Sequence, residues 1–188
     1  MAPQINSIEI ETDRLRLRPF TMDDLDRIHY IWNDSGVRKF LWDDEPVSRE
    51  FAESVIAQSI KSFNRSGIGL WAIMWKDDDE LIGFCGLRES GETTKIEILY
   101  GLLPEHWGKG IATEAARAML RYGFEELGLK LICAGADPPN RASFRVMEKT
   151  GMKFIERITA CGLEAIYYAA ARDDFAPDDT TYILRRAR

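Results

Sequence analysis

Residues 104–120 read PEHWGKGIATEAARAML, and their spacing points to a bound anion. Gly108 and Gly110 flank Lys109 between a β-rich run, 95–103, and a strongly helical run. Glycine lets a backbone approach an oxyanion closely, and the first N–H groups of a helix have no partner inside it. The expectation is a seat for the pyrophosphate of a large cofactor, with a plain strand-to-helix turn as the alternative. Two other phosphate loops fail. A Walker A loop needs Ser or Thr directly after Gly-Lys to hold magnesium, and Gly110 stands there. A dinucleotide fingerprint needs glycine at its sixth place, which counted from Gly108 is Thr113. Downstream, Asn140 opens a helix that carries Arg145 and Lys149 one turn apart, either as phosphate partners or as a solvated charged face. Cys85, Cys133 and Cys161 are too widely spaced for a metal motif or a disulfide framework, and read as reduced, mostly buried thiols. No metal is expected.

The elements that must position these groups follow from periodicity. Residues 10–20 alternate Leu15 and Leu17 with arginines, as one half-exposed strand ending at Pro19. Thr21 and Asp24 form a capping box before a helix to about Asn33, with Met22, Leu25, Ile28 and Trp32 at helical spacing. Residues 34–46 read as irregular and carry Phe40, Leu41 and Trp42. Ser48 caps a second helix that Gly67 follows. Residues 70–75 and 80–87 are strands joined by the polar connection 76–79. The helix after the glycine loop turns Ala112, Ala115, Ala116, Met119, Leu120, Phe124 and Leu127 to one face, with Gly128 past its end. Residues 129–136 form a strand stopped by Asp137-Pro138-Pro139. The Asn140 helix stops at Gly151. Residues 153–160 and 164–172 read as a hairpin around Gly162, and 180–184 as a further strand. The strands flanking the post-loop helix are expected to be parallel, because a helical crossover joins them.

At 188 residues the chain suits one α/β domain, 1–188, with residues 1–8 as a loose leader. A formal charge of −6 excludes a generic nucleic-acid surface and is compatible with a cationic acceptor. No stretch is long and apolar enough to span a membrane, and no basic-then-apolar signal pattern opens the chain, so a cytoplasmic location is expected.

Four segments in order carry a resemblance to the RimJ/RimL-like branch of the GNAT N-acetyltransferases. Pro104 to Ala115 resembles its acyl-coenzyme A loop, in which Trp, here Trp107, replaces the usual Arg or Gln. Residues 12–18, TDRLRLR, resemble the opening strand. Asn140-Arg141-Ala142-Ser143 through Glu148-Lys149-Thr150-Gly151-Met152 resembles the Asn-x-x-Ser…Glu-Lys-x-Gly-Phe helix, with Met for Phe. Residues 168–175, YAAARDDF, resemble the closing motif, with Phe for Trp. The match spans about residues 10–175, leaving a tail from Ala176 outside it.

The resemblance implies a GNAT fold: a mixed central sheet of about six to seven strands, with a splayed parallel pair and flanking helices. It implies acetyl-coenzyme A as co-substrate. Trp107, Gly108, Lys109, Gly110, Ile111, Ala112 and Thr113 would receive the pyrophosphate. The backbone of Tyr100, Gly101 and Leu102 would pair with the pantetheine arm where the strand splays at a bulge, with which Gly101 is consistent. Asn140 would hydrogen-bond the pantetheine, or cap its helix, or both. Glu97 is the implied general base and Ser143 the proton donor, since Met147 stands where many relatives carry a donor tyrosine. His29 and His106 read as structural. Trp32, Phe40, Trp42 and Tyr167 are acceptor-site walls or core residues, and Asp43, Asp44 and Glu45 attract a cationic amine or keep a loop soluble. The expected acceptor is a peptide N-terminal α-amine, then a small amine or amino acid, in a monomer or homodimer. A non-catalytic acyl-coenzyme A-binding module is the remaining alternative.

Overall fold

The computed structural model describes residues 8–42, 44–90, 95–160, 163–177 and 179–186. Its nine strands form one sheet in the order β7-β8-β6-β5-β4-β3-β2-β1-β9. In chain order these are β1 (Ile8–Glu11), β2 (Leu15–Pro19), β3 (Leu70–Trp75), β4 (Leu81–Glu89), β5 (Ile96–Leu102), β6 (Leu131–Ala136), β7 (Lys153–Ala160), β8 (Leu163–Ala171) and β9 (Ile183–Arg186). The helices are α1 (Leu25–Asn33), α2 (Ser35–Arg38), α3 (Arg49–Ser66), α4 (Ile111–Arg121) and α5 (Arg141–Lys149).

Nine strands replace the six to seven expected. The single strand read over 10–20 is a hairpin: Thr12 N–H donates to the Leu15 carbonyl at 2.9 Å, and Thr12 Oγ accepts from Leu15 N–H at 3.0 Å. A hydroxyl that bonds its own backbone in this way makes a tight turn without glycine or proline, which is why the alternating pattern hid it. The last strand lies slightly later than expected and pairs antiparallel with β1. Within 34–46, read as irregular, α2 forms because the Asp34 carboxylate accepts from Gly36 and Val37 N–H. The post-loop helix ends at Arg121 and passes into a π-turn over Tyr122–Glu126, where Tyr122 donates its hydroxyl to the Gly67 carbonyl at 3.1 Å.

Two apolar clusters lie on opposite faces of the sheet. One joins Ile98 and Leu102 of β5 to Ile111, Ala115 and Met119 of α4 and Phe144 and Met147 of α5. The other joins Leu70, Ala72 and Met74 of β3 and Phe84 of β4 to Ile28, Ile31 and Trp32 of α1 and Ala52 and Ile56 of α3. Side chains alternate along a strand, so β5 sends its even-numbered residues toward α4 and α5 and its odd-numbered ones toward α1 and α3.

The parallel pair is β5 with β6, registered only at Glu97 opposite Cys133. Beyond that point β6 soon runs into Asp137, Pro138 and Pro139, and proline has no N–H for a ladder. The two strands part toward their C-terminal ends, while β6 stays paired with β8 as far as Ala136. The expected bulge at Gly101 is absent: the β4–β5 ladder runs unshifted from Gly83↔Leu102 to Glu89↔Ile96. Gly101 is required for packing instead, since a Cβ there would stand 2.6 Å from the Phe84 ring.

On the α1/α3 face, Ser48 Oγ accepts from Phe51 N–H at 3.1 Å and Gly67 ends α3 in the left-handed region, at φ 76°. Ser48→Ala removes that cap. It should cost about 1 kcal/mol and lower the melting temperature by roughly 2–4 °C in a domain of this size; an unchanged thermal unfolding curve would show that the cap is not needed.

Candidate active site

The glycine loop is built as its composition dictates. A short 3-10 turn, Pro104–His106, carries the chain out of β5, and Gly108 and Gly110 adopt φ of 72° and 77°, values that side-chain-bearing residues rarely reach. A Cβ on Gly108 would meet nothing within 4 Å. Gly110 is the N-cap of α4 and offers no side-chain acceptor. By contrast, Asp34, Ser48 and Asn140 each cap their helices with a side chain. The first amides of α4 thus have no side-chain cap, and the helix dipole adds partial positive charge there. Trp107 donates its indole N–H to the Leu102 carbonyl at 2.7 Å, and its ring lies against Gly36, where a Cβ would come within 2.9 Å. The residue that departs from the common loop motif therefore fastens the loop to the end of β5.

A cleft of about 420 Å³ opens beside this helix end. It brings together Tyr100, Gly101, Leu102, Trp107, Gly108, Gly110, Ile111, Ala112, Thr113, Asn140, Ser143, Arg145 and Lys149, and of the residues expected at the acceptor site it takes in Phe40. Asn140 does cap α5: its Oδ1 accepts from Ser143 N–H at 3.1 Å, which leaves the carboxamide NH2 as its donor group. The Tyr100 hydroxyl lies 2.9 Å from Ser143 Oγ and 3.2 Å from the Ser143 carbonyl. Burial raises the Tyr100 phenol well above its ordinary pKa, so it keeps its proton across the working pH range. Two hydroxyls are thus in contact at the cleft, and the phenol stays available to hydrogen-bond that of Ser143. Lys109 does not line the cleft; its carbonyl is engaged by Arg14.

Glu97 belongs to the opposite face of β5. Its Oε2 accepts from Arg88 Nη2 and Nε at 3.1 and 3.2 Å, and its side chain is 13% exposed. Tyr167 lies on the same side, with its ring over Gly135 of β6, where a Cβ would be 3.0 Å away. Burial, and then the Glu97 charge, push the Tyr167 phenol upward. Burial likewise raises the Cys133 thiol. Trp32 is 1% exposed and sits in the core, edge-on to Trp42 at 5.3 Å and to Phe84 at 6.0 Å; Trp42 meets Phe51 at 5.1 Å. Both indoles belong to the cluster on the α1/α3 face and neither lines the cleft. Asp44 pairs with Arg38 at 3.2 Å, and Asp43 lies outside the described residues. Among the described residues no cluster of His, Cys, Asp and Glu could hold a metal, and no helix is long and apolar enough to cross a membrane.

Several cleft residues escaped the sequence. Gly36, Val37 and Leu41 arrive from α2 and the residues after it, a stretch read as irregular. His106, read as structural, lines the cleft with its ring 5.7 Å from that of Trp75, whereas His29 is held by the Val47 carbonyl at 3.0 Å. Arg14, read only as part of the opening strand, also reaches the glycine loop.

Residues 14–153 match the Acetyltransferase (GNAT) domain family. The N-acetyltransferase YnaD of Bacillus subtilis is 33% identical over 175 residues, covering 89% of this chain and 99% of its own. The spermidine N(1)-acetyltransferase of Escherichia coli K12 is 27% identical over 144 residues, covering 73% of this chain and 72% of its own. Among solved structures, a GNAT-family acetyltransferase from Bacillus anthracis superimposes with a TM-score of 0.74 and 27% identity, covering 88% of this chain and 99% of its own. With the open sheet, the single parting parallel pair and the uncapped helix beside it, the match shows that the chain belongs to the GNAT family and is an acetyl-coenzyme A-dependent N-acetyltransferase.

Proposed function

We propose that this enzyme acetylates the α-amine of a peptide N-terminus, in the manner of the RimJ/RimL-like branch. The observation that carries this reading is the state of Glu97. It stands on β5 at the point where the parallel pair begins to part, and one of its oxygens is taken by Arg88. A free carboxylate would suit a polycation; a carboxylate with a guanidinium beside it suits a single, weakly basic amine. An α-amine has a reference pKa of about 8 and needs little help to lose its proton, whereas a lysine-type amine near 10.4 needs much more.

The residues then divide the work as follows. Amides of residues 108–113 hold the pyrophosphate, Arg145 and Lys149 face phosphate across the cleft, and the backbone of 100–102 with the Asn140 NH2 orients the pantetheine arm. A backbone amide of β5 hydrogen-bonds the thioester carbonyl as charge builds on its oxygen. Glu97, directly or through water, accepts the proton that the amine gives up as its nitrogen bonds to the acetyl carbon. The C–S bond breaks, and Ser143 protonates the departing sulfur, its hydroxyl supported by that of Tyr100. Phe40 and Tyr167 bound the acceptor, backed by Trp42 and Trp32.

The small-amine reading is supported by one specific observation, the similarity to a spermidine acetyltransferase. Thiol release from acetyl-coenzyme A, measured against peptides with free N-termini, spermidine and aminoglycosides, separates the two. Turnover on peptides should exceed that on spermidine; turnover on a small amine with every peptide inert would overturn the α-amine assignment. Glu97→Gln should lower kcat by about 10²-fold or more with the acetyl-coenzyme A KM retained, and an unchanged rate would remove Glu97 as the base. Gly108→Asp tests the pyrophosphate seat. Asp tolerates the left-handed backbone better than most residues and finds open space there, so the fold should persist while coenzyme A binding, read by calorimetry, is lost. Wild-type affinity in that variant would move the pyrophosphate elsewhere.

A further inference from the structure

The amide donors of the α4 N-terminus are offered to an anion, yet a carboxylate stands in the same turn. Glu114 lies in the first turn of α4. An acidic residue there stabilises the helix itself, but it opposes any anionic ligand brought to the same end. In this chain it is answered from the β1–β2 turn. Arg14 Nε donates to Glu114 Oε2 at 2.7 Å, and Arg14 Nη2 lies 2.6 Å from the same oxygen. The Arg14 backbone N–H donates to Oε1 at 2.9 Å, and Thr12 Oγ donates to Oε1 at 2.6 Å. The carboxylate is drawn into the turn, with its side chain only 10% exposed. Arg14 then reaches the loop itself, where Nη1 donates to the Lys109 carbonyl at 2.9 Å between the two left-handed glycines.

We propose that Arg14 is a positioning residue for acetyl-coenzyme A: it neutralises Glu114 beside the pyrophosphate seat and fixes the Lys109 peptide so that the loop amides are pre-set for the anion. The proposal rests on the placement of the pyrophosphate at residues 108–113. It explains why Thr12 and Arg14, on the opening hairpin, and Thr113-Glu114, at the loop about 100 residues later, belong to one device. The guanidinium's planar fork is needed, because one side chain serves the carboxylate through Nε and Nη2 and the carbonyl through Nη1. A lysine ammonium lacks that fork and cannot present separate nitrogens to the two acceptors.

Charge and scaffolding are separable by a pair of substitutions. Arg14→Ala leaves Glu114 uncompensated and the Lys109 carbonyl free, and should raise the Kd for coenzyme A about ten-fold. Its kcat at saturating acetyl-coenzyme A should change less than three-fold, so that the loss falls on KM. Glu114→Gln removes the opposing charge while keeping an acceptor oxygen, and should bind coenzyme A two- to five-fold more tightly than wild type at low salt, as order-of-magnitude values. Arg14→Ala combined with Glu114→Gln should recover most of the affinity that Arg14→Ala loses. Calorimetric titration of each full-length variant with coenzyme A, at low and high salt, reads all three, with thermal unfolding recorded alongside. A double variant as weak as Arg14→Ala, or Glu114→Gln as weak as Arg14→Ala, would overturn the electrostatic role. Wild-type affinity in a folded Arg14→Ala would overturn the proposal entirely. If Gly108→Asp abolishes binding while Arg14→Ala does not alter it, the pyrophosphate seat stands and the clamp alone falls. If Gly108→Asp also leaves binding intact, the seat itself is misplaced and the clamp falls with it.

Discussion

Everything in this site depends on two parallel strands that cannot stay together. β5 and β6 share one registered pair, Glu97 with Cys133, and then separate, β6 keeping only β8 as its partner up to Ala136. A sheet interrupted in this way leaves backbone N–H and C=O groups of β5 without strand partners, and buried peptide groups left unpaired are costly. Such a gap is tolerable where something else supplies the hydrogen bonds, and an extended arm carrying amides is a chemically matched occupant. The helix that links the two strands must begin near the point of parting, so the uncapped N-terminus of α4 and the gap are brought together by connectivity alone. An anion at one and an amide-bearing chain in the other are what this topology accommodates.

Strand alternation places the proposed catalytic groups on two sides of the sheet. Ile98 and Leu102 are buried against α4 and α5, and Tyr100, on the same side, reaches Ser143. Glu97 points the other way, toward Arg88 and the side of Tyr167. In the proposed reaction, proton removal from the acceptor by Glu97 and proton delivery to the departing thiol by Ser143 come from opposite faces of one strand. A ligand threaded through the gap meets both without either group having to move. This separation also keeps the acceptor carboxylate apart from the phosphate seat, so like charges are not crowded.

The periodic parts of this fold were legible in the sequence. Helix faces, the Ser48 and Asn140 caps, the strand–loop–helix unit and the parallel pair all follow from local spacing, because each is decided by residues within a few positions of one another. Reading failed where the local signal was weak or the decision was made elsewhere in the chain. The Thr12 turn is closed by a hydroxyl that looks like any strand threonine, which concealed a hairpin and lowered the strand count. α2 is four residues long, too short for a period, yet it brings Gly36, Val37 and Leu41 to the cleft. Gly101 was readable as a special glycine, but its reason, the Phe84 ring on the neighbouring strand, is tertiary. Arg14 and Glu114 are about 100 residues apart, and nothing in either's neighbours announces the other.

A chain of net charge −6 that binds a polyanion cannot rely on its overall field, which opposes the approach. It must make a small region attractive against that background. The structure does this less by adding cations than by silencing anions. At the seat itself the positive potential comes from peptide dipoles, with Arg145 and Lys149 on the facing helix. The carboxylates near the gap are held by guanidinium groups: Glu114 by Arg14 and Glu97 by Arg88. Paired charges of this kind contribute little to stability when partly exposed, so their worth lies in what they prevent. With the pyrophosphate at the proposed seat, an unpaired Glu114 would oppose it from the first turn of α4. Glu114 and Glu97, the two carboxylates beside the gap whose pairing the structure shows, thus present no bare charge to a bound anion.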